Sequence, residues 1–289
     1  MVGAAIAAVL LICIFWMAGL STRKSETRGP SFSGRGRRVA VVEVEGTIYD
    51  SRRAVKQIKQ YGKDSGIKAL VMRIDSPGGG VAASQEIYEA VRRFREEGKP
   101  VVASMGSVAA SGGYYIACGA DTVMAAPGTT TGSIGVIVEL IDVENLLKKI
   151  GVRIDVVKSG PYKDTGSPHR SITSEERRYL QSWIDDAFSQ FVDRVAAERG
   201  MDRREVLKVA DGRVFTGRQA LESGLVDTLG YFDDAVSLAG RMAGIEGEPE
   251  IVRERPRRIT WLDLLLEETR TLLQNRGGYA LKYSWQAPF

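Results

Sequence analysis

Ser111 occupies a position at which a hydroxyl group could act as a nucleophile. It lies in the segment AASGGYY (109–115), between a predicted strand and a predicted helix. A serine at such a junction often only caps the helix. The same place also offers free backbone N–H groups and the positive end of the helix dipole, which stabilise negative charge that develops on a substrate. Gly112, the next residue, would let a substrate carbonyl approach its N–H closely.

A serine hydroxyl needs a base before it can attack a carbonyl at neutral pH. The sequence contains a single histidine, His169, in a polar loop where no acid is obviously placed to orient it. The other available base is a lysine that loses its solvation, because desolvation of an ammonium lowers its pKa and populates the neutral amine. Lys158 and Lys163 lie in a loop constrained by glycine and proline, KSGPYKDTGSP (158–168). The spacing alone does not choose between these two lysines.

A second glycine-bearing turn, DSPGGG (75–80), follows another predicted strand. Its glycines permit positive φ and expose N–H groups, so the turn is either an anion-binding nest or only a tight turn. It lacks the G-K-[ST] ending of a P-loop, and the chain contains no G-x-G-x-x-G followed by an acid. These patterns give no support for a nucleotide cofactor.

The composition argues against several classes of protein and site. The 289 residues are 44% hydrophobic and 26% charged, which is typical of a globular chain and not of a disordered or collagen-like one. Two cysteines, Cys13 and Cys118, exclude a disulfide framework and a cysteine-based zinc site. One histidine also argues against a histidine-rich metal site. We therefore expect neither a metal nor another cofactor.

The net charge of +4 is concentrated near the N-terminus. Residues 21–38 hold six basic side chains and one acid, so the remainder of the chain is nearly neutral. No nucleic-acid recognition motif accompanies this basic segment, so we expect no nucleic-acid binding. The segment reads as a flexible linker that can contact anionic lipid headgroups.

Residues 1–20 are predicted to form a transmembrane anchor. Val2–Leu20 carries no charge and, as a helix, is long enough to span the hydrocarbon core of a bilayer. A cleaved signal peptide is the alternative, but no basic region precedes the apolar stretch and no A-x-A-like site follows it cleanly. The positive-inside rule would keep the basic linker, and with it the domain, in the cytoplasm.

From Val39 onward, predicted strands alternate with predicted helices. This alternation indicates βαβ crossovers and a largely parallel sheet, followed by a helical part after about residue 171. The segment 259–274 is amphipathic and either packs in the core or docks a neighbouring subunit. The predicted strands are 39–44, 68–75, 100–105, 121–125, 136–138 and 153–157. The predicted helices are 51–61, 81–98, 111–119, 142–150, 174–200 (with Ser174 as N-cap), 202–210, 217–223, 233–243 and 259–274.

Five motifs occur in a characteristic order: DSPGGG (75–80), AASGGYYIA (109–117), TGSIGV (131–136), KSGPYKDTGSP (158–168) and GRVFTG…GLVD (212–227). Together they resemble the motifs of the signal peptide peptidase A family in its short bacterial form. Members of this family are membrane-anchored Ser/Lys proteases. The resemblance covers about residues 39–240. It implies an α/β fold of the ClpP/crotonase type, with repeated βαβ units in a spiral and a helical C-terminal part, preceded by one transmembrane helix. The expected protease domain is 39–245, with a C-terminal extension at 246–289.

The resemblance also implies the roles of individual residues. Ser111 would be the nucleophile and Lys163 the general base. Ser133 would hydrogen-bond the lysine amine and orient it. The backbone N–H groups of Gly78 and Gly112 would form the oxyanion hole.

The expected substrate is the apolar remnant of a signal peptide after its release from a preprotein. Gly79, Gly80 and Val81 would bind it, and its pockets would be apolar and lined near 79–83 and the Ser133 loop. Members of the family form homo-octamers in which neighbouring protomers supply the serine and the lysine. They are single-pass membrane proteins with an extracytoplasmic protease domain, although the basic linker of this sequence argues for the opposite orientation.

Two other functions fit the same fold class. A crotonase-type acyl-CoA hydratase or isomerase also uses two backbone N–H groups for an oxyanion, but it needs acids near them and has no use for Ser111 or Lys163. A non-catalytic scaffold would have lost the serine or the lysine, and both are present.

Overall fold

The computed structural model describes residues 37–254 and 282–284 of the chain. The strands are β1 (Arg38–Glu45), β2 (Ile67–Ser76), β3 (Gly78–Gly80), β4 (Val101–Ala110), β5 (Thr122–Ala125), β6 (Thr130–Gly132), β7 (Val214–Thr216), β8 (Thr228–Leu229), β9 (Glu250–Arg253) and β10 (Lys282–Ser284). The helices are α1 (Arg52–Lys63), α2 (Val81–Glu96), α3 (Gly112–Ala117), α4 (Glu144–Lys149), α5 (Ser174–Arg199), α6 (Arg203–Val209), α7 (Gly217–Glu222) and α8 (Phe232–Met242).

The larger sheet is parallel except at one edge. Its order is β7-β6-β4-β2-β1-β9, with β5 beside β4 and β8 beside β5. Among the described strands of this sheet, β6 and β7 form the one antiparallel pair, and β10 pairs antiparallel with β3 in a separate two-stranded sheet. The mixed α/β architecture and the parallel sheet expected from the sequence are confirmed.

Alternate residues of each strand point to opposite faces of the sheet, and helices cover both faces. Val42 of β1 lies in a core cluster with Phe94 of α2 and Phe191 of α5. Its neighbour Val41 lies in a second cluster, with Ala239 of α8. Helices on both faces therefore hold the central strands in place.

Strand β4 contains a bulge shortly before its end. Its pairing register with β2 shifts between Ile74 and Ser76, so that extra residues of β4 lie opposite this point. The carboxylate of Asp75 accepts a hydrogen bond of 3.0 Å from the N–H of Val108, which holds the bulged segment. A bulge bends a strand and redirects the residues after it, here the residues that lead to the site.

Several predicted elements differ from those observed. The predicted strand 153–157 has no regular structure, and 136–138 contains only one bridge residue. Their apolar residues satisfy the strand pattern, but neither segment forms a strand of the sheet. The N-cap of α5 is Thr173 and not Ser174, because Thr173 forms a reciprocal capping box with Glu176.

Some predictions concern residues that the structure does not describe. The predicted anchor at 1–20, the linker up to residue 36 and the predicted helix 259–274 lie outside the described residues. Within residues 37–254 and 282–284, no helix combines the length and apolar character needed to cross a membrane. Strand β9 pairs with β1, so the sheet continues beyond residue 245, the predicted end of the protease domain.

Candidate active site

Three adjacent parallel strands end at the same edge of the sheet, and a serine lies at the end of each. Ser76 is the last residue of β2, while Ser111 and Ser133 follow β4 and β6 directly. Ser76 pairs in register with Ala109, and the N–H of Ser111 donates to the carbonyl of Gly132 at 2.7 Å. The carboxyl ends of parallel strands are the usual place for a ligand site in an α/β protein.

Ser111 has a strained backbone and a hydroxyl with no partner. Its φ of 53° and ψ of −114° lie outside the regions that L-residues ordinarily occupy. The residue is only 1% exposed, and its Oγ has no hydrogen-bond partner among the described residues. Strain of this kind costs about 1–3 kcal/mol and concentrates at functional sites. The hydroxyl is therefore buried and held in place without being used by the fold.

The two predicted oxyanion donors lie on turns that approach each other closely. Gly112 begins α3, where an N–H has no partner within its own helix. A Cβ on the next residue, Gly113, would lie 3.0 Å from the carbonyl oxygen of Ser76, so this turn packs directly on the end of β2. Gly78, with φ of 102°, donates its N–H to Ser76 Oγ at 3.1 Å.

The hydroxyl of Ser76 is thus a site feature that the sequence analysis did not assign. Its position inside the DSPGGG motif was the available signal. An oxyanion at this position would have to compete with Ser76 Oγ for the N–H of Gly78.

Ser133 is the second serine with an unusual backbone, and the C-terminal half of the domain holds it there. Its φ is 50°, it is 7% exposed, and its N–H donates to the carbonyl of Arg213 at 2.8 Å. A Cβ on Gly132 would meet the ring of Phe215 at 2.6 Å, so only glycine fits before Ser133. The GRVFTG motif therefore supports the Ser133 turn.

The structure distinguishes the two candidate lysines. Lys158 Nζ donates to the carboxylate of Asp164 at 2.5 Å and to the carbonyl of Pro161 at 3.2 Å. Lys163 is exposed and has no ion pair among the described residues. No hydrogen bond within the described chain joins Lys163 Nζ to Ser111, whose Oγ is unpartnered there.

Neither the single histidine nor the buried cysteine offers a reactive group to Ser111. The ring of His169 contacts Ser167 Oγ, with ring nitrogens at 2.9 and 3.0 Å, and it does not bond Ser111. Burial raises the pKa of the Cys118 thiol to about 12, which leaves the thiolate scarce at neutral pH. Within the described residues, no cluster of three or more His, Cys, Asp or Glu side chains is arranged to hold a metal ion.

The glycine strand β3 is paired on both edges. Ile48 donates its N–H to Gly78 at 2.9 Å and accepts from the N–H of Gly80 at 2.7 Å. Strand β10 lies antiparallel on the other edge, with Tyr283 opposite Gly79. An extended segment of the chain therefore occupies the strand that the sequence analysis assigned to substrate.

Two apolar residues of the segments predicted to line the substrate pockets are buried. Val81 follows Gly80 as the first residue of α2 and is 8% exposed. Ile134 follows Ser133 and is fully buried. Both side chains belong to the main core cluster.

Comparison with known proteins assigns the chain to a family. The sequence profile of Peptidase family S49 matches residues 93–246. A relative from Synechocystis is 48% identical over 211 residues, which are 73% of this chain and 76% of that protein. Protease 4 of Salmonella typhi is 39% identical over 220 residues, 73% of this chain and 35% of that protein.

The name of a third relative states its reaction type. The serine protease SPPA of the Arabidopsis thaliana chloroplast is 36% identical over 199 residues, 68% of this chain and 28% of that protein. The chain therefore spans only about a third of the longer relatives it matches. The profile covers more than half of the chain, and a buried, strained serine at the strand ends agrees with it. The chain belongs to peptidase family S49 and is a serine-type peptidase.

Proposed function

We propose that this peptidase uses a Ser111/Lys163 dyad to degrade the apolar remnants of signal peptides. The observation that carries the proposal is the hydroxyl of Ser111, which is buried, unpartnered and held on a strained backbone at the start of α3. A structural serine in such a place would use its hydroxyl to cap the helix. The Ser111 side chain makes no cap hydrogen bond, so the hydroxyl remains available for chemistry.

In the proposed reaction, the neutral amine of Lys163 removes the proton from Ser111 Oγ as the oxygen attacks the peptide carbonyl carbon. The negative oxygen that forms accepts hydrogen bonds from the N–H groups of Gly112 and Gly78, and the latter leaves Ser76 Oγ. The C–N bond then breaks and the amine leaves with the proton from Lys163. Water, deprotonated by Lys163, hydrolyses the acyl-enzyme and restores Ser111.

We propose that Lys163 is supplied by a neighbouring copy of the chain. Lys163 is exposed and lies at the end of a segment, 137–162, with many exposed apolar side chains. Monomers rarely expose so much apolar surface in one region, and a second copy would cover it. The exposed apolar residues of this segment include Ile137, Ile141, Leu146, Ile150, Val152, Ile154, Val156, Val157 and Tyr162.

Such packing would also desolvate the lysine, which favours the neutral amine. Ser133, held beside Ser111, is the group proposed to orient that amine. The octamer implied by the family resemblance is the proposed assembly.

The way in which β3 binds β10 supports a peptide as the substrate. Extended peptides are often bound by adding a strand to an open sheet edge, where main-chain hydrogen bonds give affinity. Gly79 and Gly80 leave room for a main chain beside β3. The three glycines of β3 carry no charged side chain that could pair with a charged peptide, so an uncharged peptide fits this strand better.

The proposal is tested with a serine-directed phosphonate probe and a synthetic apolar peptide. We expect the probe adduct to map to Ser111 by mass spectrometry, and Ser111→Ala and Lys163→Ala to lose peptide cleavage by at least about 100-fold. His169→Ala is the matched control and should cleave normally. Activity that is lost in the His169 variant but kept in the Lys163 variant would reject the dyad. Equal cleavage of a charged peptide of the same length would reject the substrate class.

A further inference from the structure

Lys163 lies in a loop whose backbone is folded into consecutive turns. The N–H of Lys163 donates to the carbonyl of Gly160 at 3.2 Å, and the N–H of Thr165 donates to the carbonyl of Tyr162 at 3.2 Å. These bonds restrict the backbone on both sides of Lys163. Side-chain contacts on both sides of Lys163 join this loop to α5.

Arg170 joins this loop to α5 through two carboxylates. Its Nε and Nη2 donate to the two carboxylate oxygens of Asp164, each at 2.9 Å. Its Nη1 and Nη2 donate to the two oxygens of Glu176 at 2.9 and 2.5 Å. One guanidinium therefore binds two carboxylates through two-pronged contacts, an arrangement that fixes orientation and that the single nitrogen of a lysine cannot reproduce.

Glu176 is a firm anchor for Arg170 because the start of α5 holds it. Its carboxylate accepts from the N–H of Thr173 at 2.9 Å in the capping box, and Thr165 Oγ1 donates to it at 3.2 Å. The Glu176 side chain is only 5% exposed. Asp164, the residue next to Lys163, is thus connected through one side chain to a buried position in a 26-residue helix.

The residue before Lys163 is attached to the same helix. Tyr162 donates its hydroxyl to Glu175 at 2.7 Å, and its ring centroid lies 5.1 Å from that of Tyr179. Both chain neighbours of Lys163 are therefore tied to the first turns of α5. The Lys163 side chain itself is exposed and makes no ion pair within the described part of the chain.

We propose that Arg170 is a positioning residue, which holds Asp164 against Glu176 and thereby presents Lys163 for proton transfer to the active-site serine. This inference depends on the proposed role of Lys163 as the base. Arg170 touches neither Ser111 nor the glycine turns, so it acts through the loop. General-base catalysis is sensitive to such placement, since a displacement of about 1 Å can cost about 100-fold in rate.

The first experiment compares kcat and KM for an apolar peptide in Arg170→Gln, Arg170→Lys and Arg203→Gln. Arg203, the first residue of α6, forms an ion pair with Asp193 of α5 and serves as the matched control. We expect Arg170→Gln to lose about 100-fold in kcat with KM changed by less than about two-fold. Arg170→Lys should recover only part of this loss, and Arg203→Gln should behave as the wild type.

Asp164→Asn, which keeps the shape of the side chain, gives the same test if Arg170→Gln fails to fold. The kcat of Asp164→Asn should also be lower than that of the wild type. The unfolding temperature of each variant shows whether it is folded. Wild-type kcat in folded Arg170→Gln or Asp164→Asn, together with an inactive Lys163→Ala, would overturn the positioning role and leave the dyad standing. An active Lys163→Ala would overturn the dyad, and the positioning role with it.

Mixed assemblies separate positioning from a general effect on the fold. Arg170→Gln is placed either in copies that carry Ser111→Ala, which can donate only the lysine, or in copies that carry Lys163→Ala, which can donate only the serine. We expect the activity of the mixture to fall in the first case and to be kept in the second. Equal loss in both mixtures would show that Arg170 only supports the fold, and would overturn the proposal.

Discussion

Ser111 and Ser133 are the two non-glycine residues with positive φ in the described part of the chain, at 53° and 50°. They are linked through one hydrogen bond, since the N–H of Ser111 donates at 2.7 Å to the carbonyl of Gly132, which directly precedes Ser133. Positive φ is costly for a residue with a side chain. The fold therefore accepts backbone strain at two neighbouring strand ends, and both carry a hydroxyl group.

This strain predicts an unusual order of stability among inactive variants. Ser111→Ala and Ser111→Gly both remove the hydroxyl, but only alanine keeps a Cβ at φ of 53°. We expect Ser111→Gly to have the larger free energy of unfolding, by about 1 kcal/mol, because relief of strain exceeds the entropic cost of glycine. Urea denaturation of the two purified variants measures the difference. An alanine variant as stable as the glycine variant, or more so, would show that the Ser111 backbone is not strained.

Two neighbouring glycines of β3 are expected to respond differently to the same substitution. A Cβ on Gly79 would lie 2.2 Å from the backbone oxygen of Ile48, whereas a Cβ on Gly80 would have its nearest contact at 3.5 Å. Gly79→Ala should therefore push β3 away from Ile48, with a loss of at least about 10-fold in kcat/KM for a peptide and a lower unfolding temperature. Gly80→Ala is the control and should fold with near wild-type stability. Equal effects of the two substitutions would contradict the close packing of β3 on Ile48.

Strand β10 should compete with peptide substrates for β3. Gly78 and Gly80 direct their hydrogen-bonding groups toward Ile48, so alternation along the strand turns the N–H and C=O of Gly79 toward Tyr283. Tyr283→Pro removes one donor from this pair, while Tyr283→Ala keeps it. We expect the proline variant to have a lower KM for an added peptide, with kcat unchanged and the alanine variant as control. A KM that stays at the wild-type value would mean that β10 does not limit access to β3.

The Arg170 contacts predict a loss of stability in acid. Hydrogen bonds from Arg170 lower the pKa of Glu176 to about 2 and also hold the pKa of Asp164 below its ordinary value. A carboxyl group with a lowered pKa stabilises the fold in its ionised form, so this contribution is complete above the ordinary pKa of 4.5 and is lost as the pH falls toward 2. Arg170, Lys158, Thr165 and Thr173 are the groups that donate hydrogen bonds to these two carboxylates.

Unfolding temperatures across this pH range provide the measurement. Wild-type protein should lose more stability on acidification than Glu176→Gln, which has no charge to lose. Glu205→Gln, which breaks an exposed contact with Lys208, should follow the wild type. If the unfolding temperatures of wild type and Glu176→Gln fell equally with pH, Glu176 would not be a cause of the loss of stability in acid.

The sequence was most informative where local chemistry and the strand pattern coincide. Ser111 could be identified as the candidate nucleophile because an apolar strand, a serine and two glycines occur together. The search for a lysine base could be limited to one constrained loop, which contains Lys163. The N-cap of α5 was predicted wrongly at Ser174, although Thr173 has a glutamate three residues later and Ser174 has Arg177 there.

Other features could not be predicted because they depend on long-range contacts. Strands β3 and β6 have three residues each, too few for a periodic pattern. The link from Arg170 to both Asp164 and Glu176 joins residues that are six positions apart on either side of it, and no periodicity indicates such a bond. Ser111 Oγ has no hydrogen-bond partner within the described part of one chain. If its partner is the Lys163 of another copy, only the assembly can reveal the pairing.

A complementation experiment tests the central claim, that one copy provides the serine and its neighbour the lysine. Ser111→Ala and Lys163→Ala chains are produced separately and together, and cleavage of an apolar peptide is measured for each preparation. The account predicts two inactive proteins that regain activity when co-assembled, because an intact Ser111 then meets an intact Lys163 across some of the interfaces. Co-assembled protein that stays as inactive as its parents would contradict the shared dyad.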